Sequence, residues 1–362
     1  MVLIIEFLEI HSLEIQVITS MERVSDKISV SVIVSVQNAE ERVERCLRSV
    51  CGQSYPNIEI LIVDAGSTDR SMEVAKQFAA QDSRVRILSS SSDNIYTAYN
   101  VGIDFGTGNF ALFVDAMDYI DPDTVALCVE RYLRPPAQII CFGYKGMGES
   151  GKIKQIVLPK IAMDFFRGET VQTEFLPRLV CIDPEKGIST RMTMTCHCAM
   201  FSLDLIHRND WQFDTECSSD IVSLLTLYKD VNVVSVENRA LYCFGQEDEP
   251  DICHKDFPTV RRNFEREVEL CRQFGYSNKV EKALRYYFLL CVFDILSGIK
   301  HSDLPAKIRR QQMKFILEDT LLQKCVGQIE HDEMEKDLRL KFHKLEHKQR
   351  HVLKKVAKSM EQ

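Results

Sequence analysis

Acidic side chains recur in two tight groups, Asp64-Ala-Gly-Ser-Thr-Asp69 and Asp115-Ala-Met-Asp118. Each stands at the end of a run of apolar residues. Carboxylates offer hard oxygens to magnesium or manganese, and a carboxylate also takes a proton from an attacking hydroxyl. A third polar group, Ser35-Val-Gln-Asn38, follows the first apolar run. Groups this short act together only if the elements before them deliver them to one place.

Those elements are legible. Ile28 to Val34 is β-branched and almost continuously apolar, the mark of a strand buried on both faces of a parallel sheet. Glu40 to Cys51 has helical spacing, with Val43, Leu47 and Val50 on one face. Ile58 to Val63 is a second buried strand, Ser71 to Ala80 a helix, and Val85 to Leu88 a third strand. A helix around Tyr96 to Asp104 leads to a fourth strand, Phe110 to Val114, which ends on Asp115. Alternating strands and helices predict an open, mostly parallel α/β sheet flanked by helices. Ligands of such sheets bind beyond the carboxyl ends of the strands, where all three polar groups fall.

The second half is less regular. Gln138 to Tyr144 and Val231 to Val236 read as strands, Leu241 to Phe244 as a short apolar run, and Asp220 to Lys229 as a helix. Thr193 to Leu205 reads as strand then helix, with Cys196 and Cys198 as small apolar side chains of the strand. From Phe257 onward nearly everything reads as helix. The expected divisions are an N-terminal extension over 1–27, an α/β half over 28–130, a less regular half over 131–255, and a helical region over 256–362. Residues 1–20 are expected to lie outside the domain, as an over-extended start of the reading frame.

Net charge is −8, which disfavours nucleic acid, because phosphate binding needs a positive field. Thirteen cysteines without framework spacing read as reduced core residues of a cytoplasmic protein. No apolar run approaches the ~20 residues that cross a bilayer. No G-x-G-x-x-G follows the first strand, which argues against a dinucleotide-dependent oxidoreductase. No glycine-rich basic loop follows it either, as a nucleotidyltransferase would have.

Five segments, in order, resemble family 2 glycosyltransferases. They are Ser31 to Asn38, Gln53 to Ile60, Val63 to Ser71, Asn94 to Ile103 and Phe113 to Pro122. The last resembles the family's D-x-D region. A weaker likeness covers Phe213 to Asp220, the following helix and strand, and Leu241 to Phe244.

The resemblance implies a GT-A fold whose 28–130 half binds the donor, a nucleoside diphosphate sugar (UDP-sugar favoured), and whose 131–255 half binds the acceptor, with an inverting transfer to a glycan or lipid-linked acceptor. Polysaccharide biosynthesis is the implied setting. Donor binding would involve Ser35, Val36, Asn38, Asp64, Ser67, Asp69, Tyr96, Asn100 and Asp115. A divalent cation, magnesium or manganese, would lie at Asp115 and Asp118, and Asp220 would be the base.

Each role has a plainer alternative. Ser67, Thr68 and Asp69 suit capping of the second helix, Asp118 to Asp121 suits a turn before Pro122, and Asp220 suits a helix start. Tyr96 and Asn100 suit packing. The sequence also departs from the family pattern. Ala65 stands where a second acid is common, Met117 occupies the usual metal-ligand position, and Ser219 replaces a Glu. A thioether is a poor ligand for magnesium. The competing reading is therefore a non-catalytic relative kept as a binding or scaffold protein.

From Leu338 to Met360, eight Lys or Arg face one acid, with Leu338, Phe342, Leu345, Val352, Val356 and Met360 at helical spacing. That is a solvated or paired helix, or a helix lying on the inner face of an anionic membrane.

Overall fold

A computed structural model of the chain describes residues 27–148, 151–159, 163–180, 182–183, 187–188, 194–217, 219–245, 256–329, 343–345 and 347–348. The expected extension over 1–20 and nearly all of the basic 338–360 segment lie outside the described residues. The chain divides into two units that do not follow chain order. One comprises 1–168, 195–218 and 230–247, the other 169–194, 219–229 and 248–362.

The first unit is built on one mixed sheet. Its leading strands are β1 (Val30–Val36), β2 (Ile58–Asp64), β3 (Val85–Ser89) and β4 (Phe110–Asp115). They lie in the order β3-β2-β1-β4, all parallel. Every residue of β1 is buried, as its unbroken apolar run requires. Beyond β4 the order continues through later strands. These are β5 (Tyr119–Ile120), β6 (Ile139–Met147), β7 (Ile153–Val157), β8 (Phe165–Arg167), β9 (Ala199–Ser202) and β10 (Val233–Phe244). Strand β9 runs antiparallel between β4 and β6, and β10 pairs parallel with β6. The strand expected over Val231 to Val236 and the separate apolar run Leu241 to Phe244 therefore belong to one strand, Val233–Phe244. Its register with β6 shifts twice, between Glu237 and Tyr242.

Three helices connect the parallel strands: α1 (Val43–Cys51), α2 (Ser71–Gln81) and α3 (Ile95–Phe105). Val43, Cys46, Leu47 and Val50 of α1 pack on the β1 face made by Val30, Val32, Val34 and Val36. Each fully buried side chain of this kind contributes roughly 1.5–3 kcal/mol. On the other face α3 approaches β1 closely. A Cβ at Gly102 would stand 2.2 Å from Ile33 Cγ2, so only glycine fits there. Asn94 caps α3 by accepting from the Tyr96 amide. Helix α4 (Thr124–Tyr132) follows β5.

The second unit is mostly helical, with one short antiparallel ladder between Ile182–Asp183 and Gly187–Ile188. Its α-helices are α5 (Leu176–Val180), α7 (Asp220–Tyr228), α8 (Phe257–Gln273), α9 (Asn278–His301), α10 (Ala306–Leu317) and α11 (Thr320–Val326). The short α6 (Leu203–Arg208) belongs to the first unit. Asp256 caps α8 and Asp319 caps α11. Among the described residues no helix is long and apolar enough to cross a membrane.

Candidate donor site at the carboxyl edge of the sheet

The carboxyl ends of the central strands align. In the ladder Ser35 lies opposite Asp115, and Val36 opposite Asp64. Parallel pairing thus brings the last residues of β1, β2 and β4 into one row, from three groups up to 80 residues apart in sequence. This is where the sequence placed the ligand.

The loops after β1 and β2 are laced together. The Asn38 carboxamide oxygen accepts from the Thr68 amide at 2.8 Å and from its hydroxyl at 3.3 Å. The Asn38 amide donates to Ser67 Oγ at 3.3 Å. Asp69 accepts from the Glu40 amide at 3.0 Å, and from the Ser71 amide and hydroxyl. Ser71 Oγ also accepts from the Ala39 amide. Asn38 and Gly66 both hold positive φ, 47° and 76°, which Asn and Gly tolerate best. Ser67, Thr68 and Asp69 are thus committed to the loop. Asp69, partly desolvated but holding these donors, stays below the usual carboxylate range. Among the described residues Asp64 is engaged at one oxygen only, Oδ1, by the Ser67 amide at 2.9 Å. Its side of the loop is half-buried.

The acidic turn after β4 is more buried. Asp115 Oδ1 accepts from the Met117 amide at 2.8 Å. Asp118 is 8% exposed, and both its oxygens are engaged. Oδ2 accepts from the Tyr242 hydroxyl and Oδ1 from the Gly245 amide, each at 2.7 Å. The turn is therefore latched to the end of β10. Burial pushes both carboxyls up. Asp118 reaches about 6, through burial first and then repulsion by Asp115. His197 draws both back.

His197 was not legible as part of this site. Residues Cys196–Cys198 form one 3-10 turn before β9 rather than a strand. Cys196 and Cys198 are buried as small apolar side chains, as expected, but the histidine between them joins the polar network. Its Nε2 lies 2.8 Å from the Tyr99 hydroxyl and its Nδ1 3.0 Å from Thr195 Oγ1. Its ring lies 5.3 Å from that of Tyr242. The available signal was polarity: a histidine closing an apolar segment that precedes a strand.

Arg42 and Arg45 flank the turn. Arg42 Nη1 donates to the Gly245 carbonyl at 2.9 Å, and Arg45 Nη2 to that of Met117 at 3.3 Å. The Arg45 guanidinium lies 4.4 Å over the Tyr119 ring. Met117 packs against the apolar core beneath the turn.

Tyr96 and Asn100 lie on α3. Asn100 is clamped to the chain at Phe213, donating to its carbonyl at 3.0 Å and accepting from its amide at 2.7 Å. Tyr96 stacks on the Phe213 ring at 5.5 Å. Asp220 is the first residue of α7, in the second unit.

The donor chemistry of the acidic turn suits a hard divalent cation. Two buried carboxylates with raised affinity for protons are groups that a cation would relieve. Asp115 Oδ2 has no protein hydrogen-bond partner among the described residues. One or two carboxylates, with phosphate oxygens supplying the rest, is a usual arrangement for magnesium.

Comparison with known proteins follows the same ground. Residues 31–200 match the model of Glycosyl transferase family 2. The glycosyltransferase GlyA of Streptococcus pneumoniae is 37% identical over 127 residues, 35% of this chain and 18% of that protein. The uncharacterized glycosyltransferase EpsJ of Bacillus subtilis is 23% identical over 265 residues, 71% of this chain and 74% of that protein. The chain spans only 11% to 28% of the length of four of its curated relatives. Among solved structures, S. aureus TarS 1–349 superposes with a TM-score of 0.58 at 17% identity, covering 92% of this chain and 91% of that one. The same protein in complex with UDP-GlcNAc gives 0.58 at 16%, with 92% of each chain covered. At these identities the likeness is one of GT-A fold.

Proposed function

Because residues 31–200 match the model of Glycosyl transferase family 2, we propose that this chain transfers a hexose from a nucleoside diphosphate sugar to a hydroxyl of a glycan or lipid-linked acceptor, with inversion. A UDP-sugar is the favoured donor, since TarS, of the same fold, is solved with UDP-GlcNAc. The observation that carries the reading is the row Ser35, Asp64 and Asp115 at the carboxyl edge of adjacent parallel strands.

In this reading the laced loops form the nucleoside floor. Asp64, with one oxygen free of the loop, accepts from the base. The backbone of Ser35, Val36 and Asn38 borders it, and Ser67 and Asp69 hold its shape. Tyr96 and Asn100 act through Phe213, closing the α3 side. Asp115 faces the diphosphate and offers its free oxygen to a magnesium or manganese ion. Asp118 stands behind as the second carboxylate of the pair. When bound, the cation neutralises charge on the departing diphosphate. Asp220 takes the proton of the acceptor hydroxyl, an assignment that rests on its place at the start of α7 in the family-like order.

A second reading, donor binding without turnover, is favoured by two observations. The half-buried Met117 side chain packs against the core, and both carboxylate oxygens of Asp118 are engaged with protein.

The test is calorimetric titration with UDP and GDP, with and without manganese. Manganese-dependent UDP binding that disappears in Asp115→Ala supports a working donor site. No binding in a folded sample under any condition overturns it. UDP binding without sugar transfer or donor hydrolysis selects the second reading.

A further inference from the structure

Strand β1 divides its side chains between two faces. Val30, Val32, Val34 and Val36 enter the core against α1. Ser31, Ile33 and Ser35 face the other way, toward α3, where Ile33 meets Gly102. Along β4, Phe113 and Asp115 share that second face, and the Phe113 ring lies 5.1 Å from that of Tyr99 on α3. The ladder pairs Ile33 with Phe113 and Ser35 with Asp115. On its other side Ser35 pairs with Val63. Asp115 is therefore the one polar neighbour of Ser35 in its row.

Neither group is satisfied. Ser35 is 3% exposed, and its buried Oγ has no hydrogen-bond partner among the described residues. Asp115 spends Oδ1 on the Met117 amide and leaves Oδ2 without a partner among them. Buried polar atoms are seldom left so, and a hydroxyl is able to donate to a carboxylate beside it. Two orphaned oxygens on paired residues mark a place for something that binds both. The rest of the turn has nothing to offer. Both Asp118 oxygens are held by Tyr242 and Gly245, both His197 ring nitrogens lie at hydrogen-bond distance from Tyr99 and Thr195, and Met117 brings only a thioether.

Both orphaned oxygens are hard, and one carries negative charge, which suits magnesium or manganese. Serine and threonine hydroxyls serve magnesium beside phosphates elsewhere. We propose that Ser35 Oγ is the second protein ligand of the divalent cation held by Asp115 Oδ2, in place of a ligand from position 117. The hydroxyl keeps its proton and gives a lone pair, so the charge of the site stays with Asp115. Phosphate oxygens and water complete the shell. The assignment rests on the donor-site reading above and deepens it: Ser35 takes the part that neither Met117 nor the fully engaged Asp118 is free to play.

The test titrates the full chain with manganese in the presence of UDP and reads free manganese by electron paramagnetic resonance. Ser35→Ala should weaken manganese binding about tenfold or more, since even a group one shell further out is worth that much. Its melting temperature without metal should hold or rise, because the change removes an orphaned hydroxyl. Ser35→Cys should prefer cadmium to magnesium and show the ultraviolet charge-transfer band of a cadmium thiolate, a band lost when Asp115→Ala is added. If Ser35→Cys does not fold, Ser35→Ala alone decides. Two results overturn the proposal while the donor site stands: manganese binding lost in Asp115→Ala but unchanged in Ser35→Ala, or weakened by Asp118→Asn and not by Ser35→Ala. If the parent itself takes up no manganese with UDP, the cation reading of the donor site fails and this assignment falls with it.

Discussion

The Tyr242 hydroxyl donates to Asp118 Oδ2 at 2.7 Å, across 124 residues of chain. The same oxygen of Tyr242 accepts from the Asp115 amide at 3.2 Å. One buried phenol thus ties both acids of the turn to strand β10. Tyr242→Phe removes a hydrogen bond to a buried carboxyl and should cost about 1–3 kcal/mol in urea unfolding. It should also raise the pH at which Asp118 ionises, since that bond favours the charged form.

The acid pair sets a pH dependence. Folded Asp118 titrates near 6, above its ordinary value, and Asp115 is shifted in the same direction. The folded state therefore holds more protons than the unfolded chain between about pH 4 and 6. The stabilisation from these protonated carboxyls is full below the unfolded value and is lost as pH rises through the folded one. Urea midpoints of Asp118→Asn should fall less than those of the parent across this window. Equal slopes in the two proteins would remove Asp118 as the cause.

Gly245 admits no side chain. A Cβ there would lie 2.2 Å from the Met117 carbonyl oxygen and 2.5 Å from Arg45 Nη2. The first contact is with backbone and cannot be relieved by rotation. Gly245→Ala should therefore displace the acidic turn, costing on the order of 1–3 kcal/mol of stability. It should weaken manganese-dependent UDP binding more than Arg45→Ala does, read by calorimetry.

Asp64 and Asn100 should separate binding from scaffolding. Asp64→Ala leaves the strand intact and removes the free oxygen, so UDP affinity should fall about tenfold or more with a change in melting of a few degrees at most. Asn100→Ala leaves the Phe213 amide and carbonyl without their partners, and should cost about 1–3 kcal/mol while UDP affinity in the folded fraction holds. The opposite pattern would exchange their roles.

Much of this was readable because local chemistry and global topology agree. The run from Ile28 to Val34 is buried on both faces, as its β-branched residues require, and the parallel order made the position of Ser35, Asp64 and Asp115 deducible before their contacts. The GT-A fold, and the likeness to family 2 glycosyltransferases whose model matches residues 31–200, were legible in five ordered segments. What the sequence hid was long-range and polar. Nothing near Asp118 signals that Tyr242 and Gly245 will occupy its oxygens, and nothing near Cys196 signals that His197 will meet Tyr99. The break between 236 and 241 looked like a strand end. Residues 237–239 are the less buried part of one strand, and the register shifts there absorb them. Antiparallel β9 was likewise hidden, because strand direction is set by the connection rather than by composition.

The latch also bears on how the chain is made. Strands β1 to β4 pair with one another within residues 30–115, so this layer is complete early in synthesis. Asp118 follows it off the ribosome at once, but its two partners emerge only when residue 245 has been made. Through that interval neither the Tyr242 hydroxyl nor the Gly245 amide is available to the carboxyl. The donor edge therefore matures in two steps. A nascent chain truncated before β10 should present the nucleoside floor with the acidic turn still open to water.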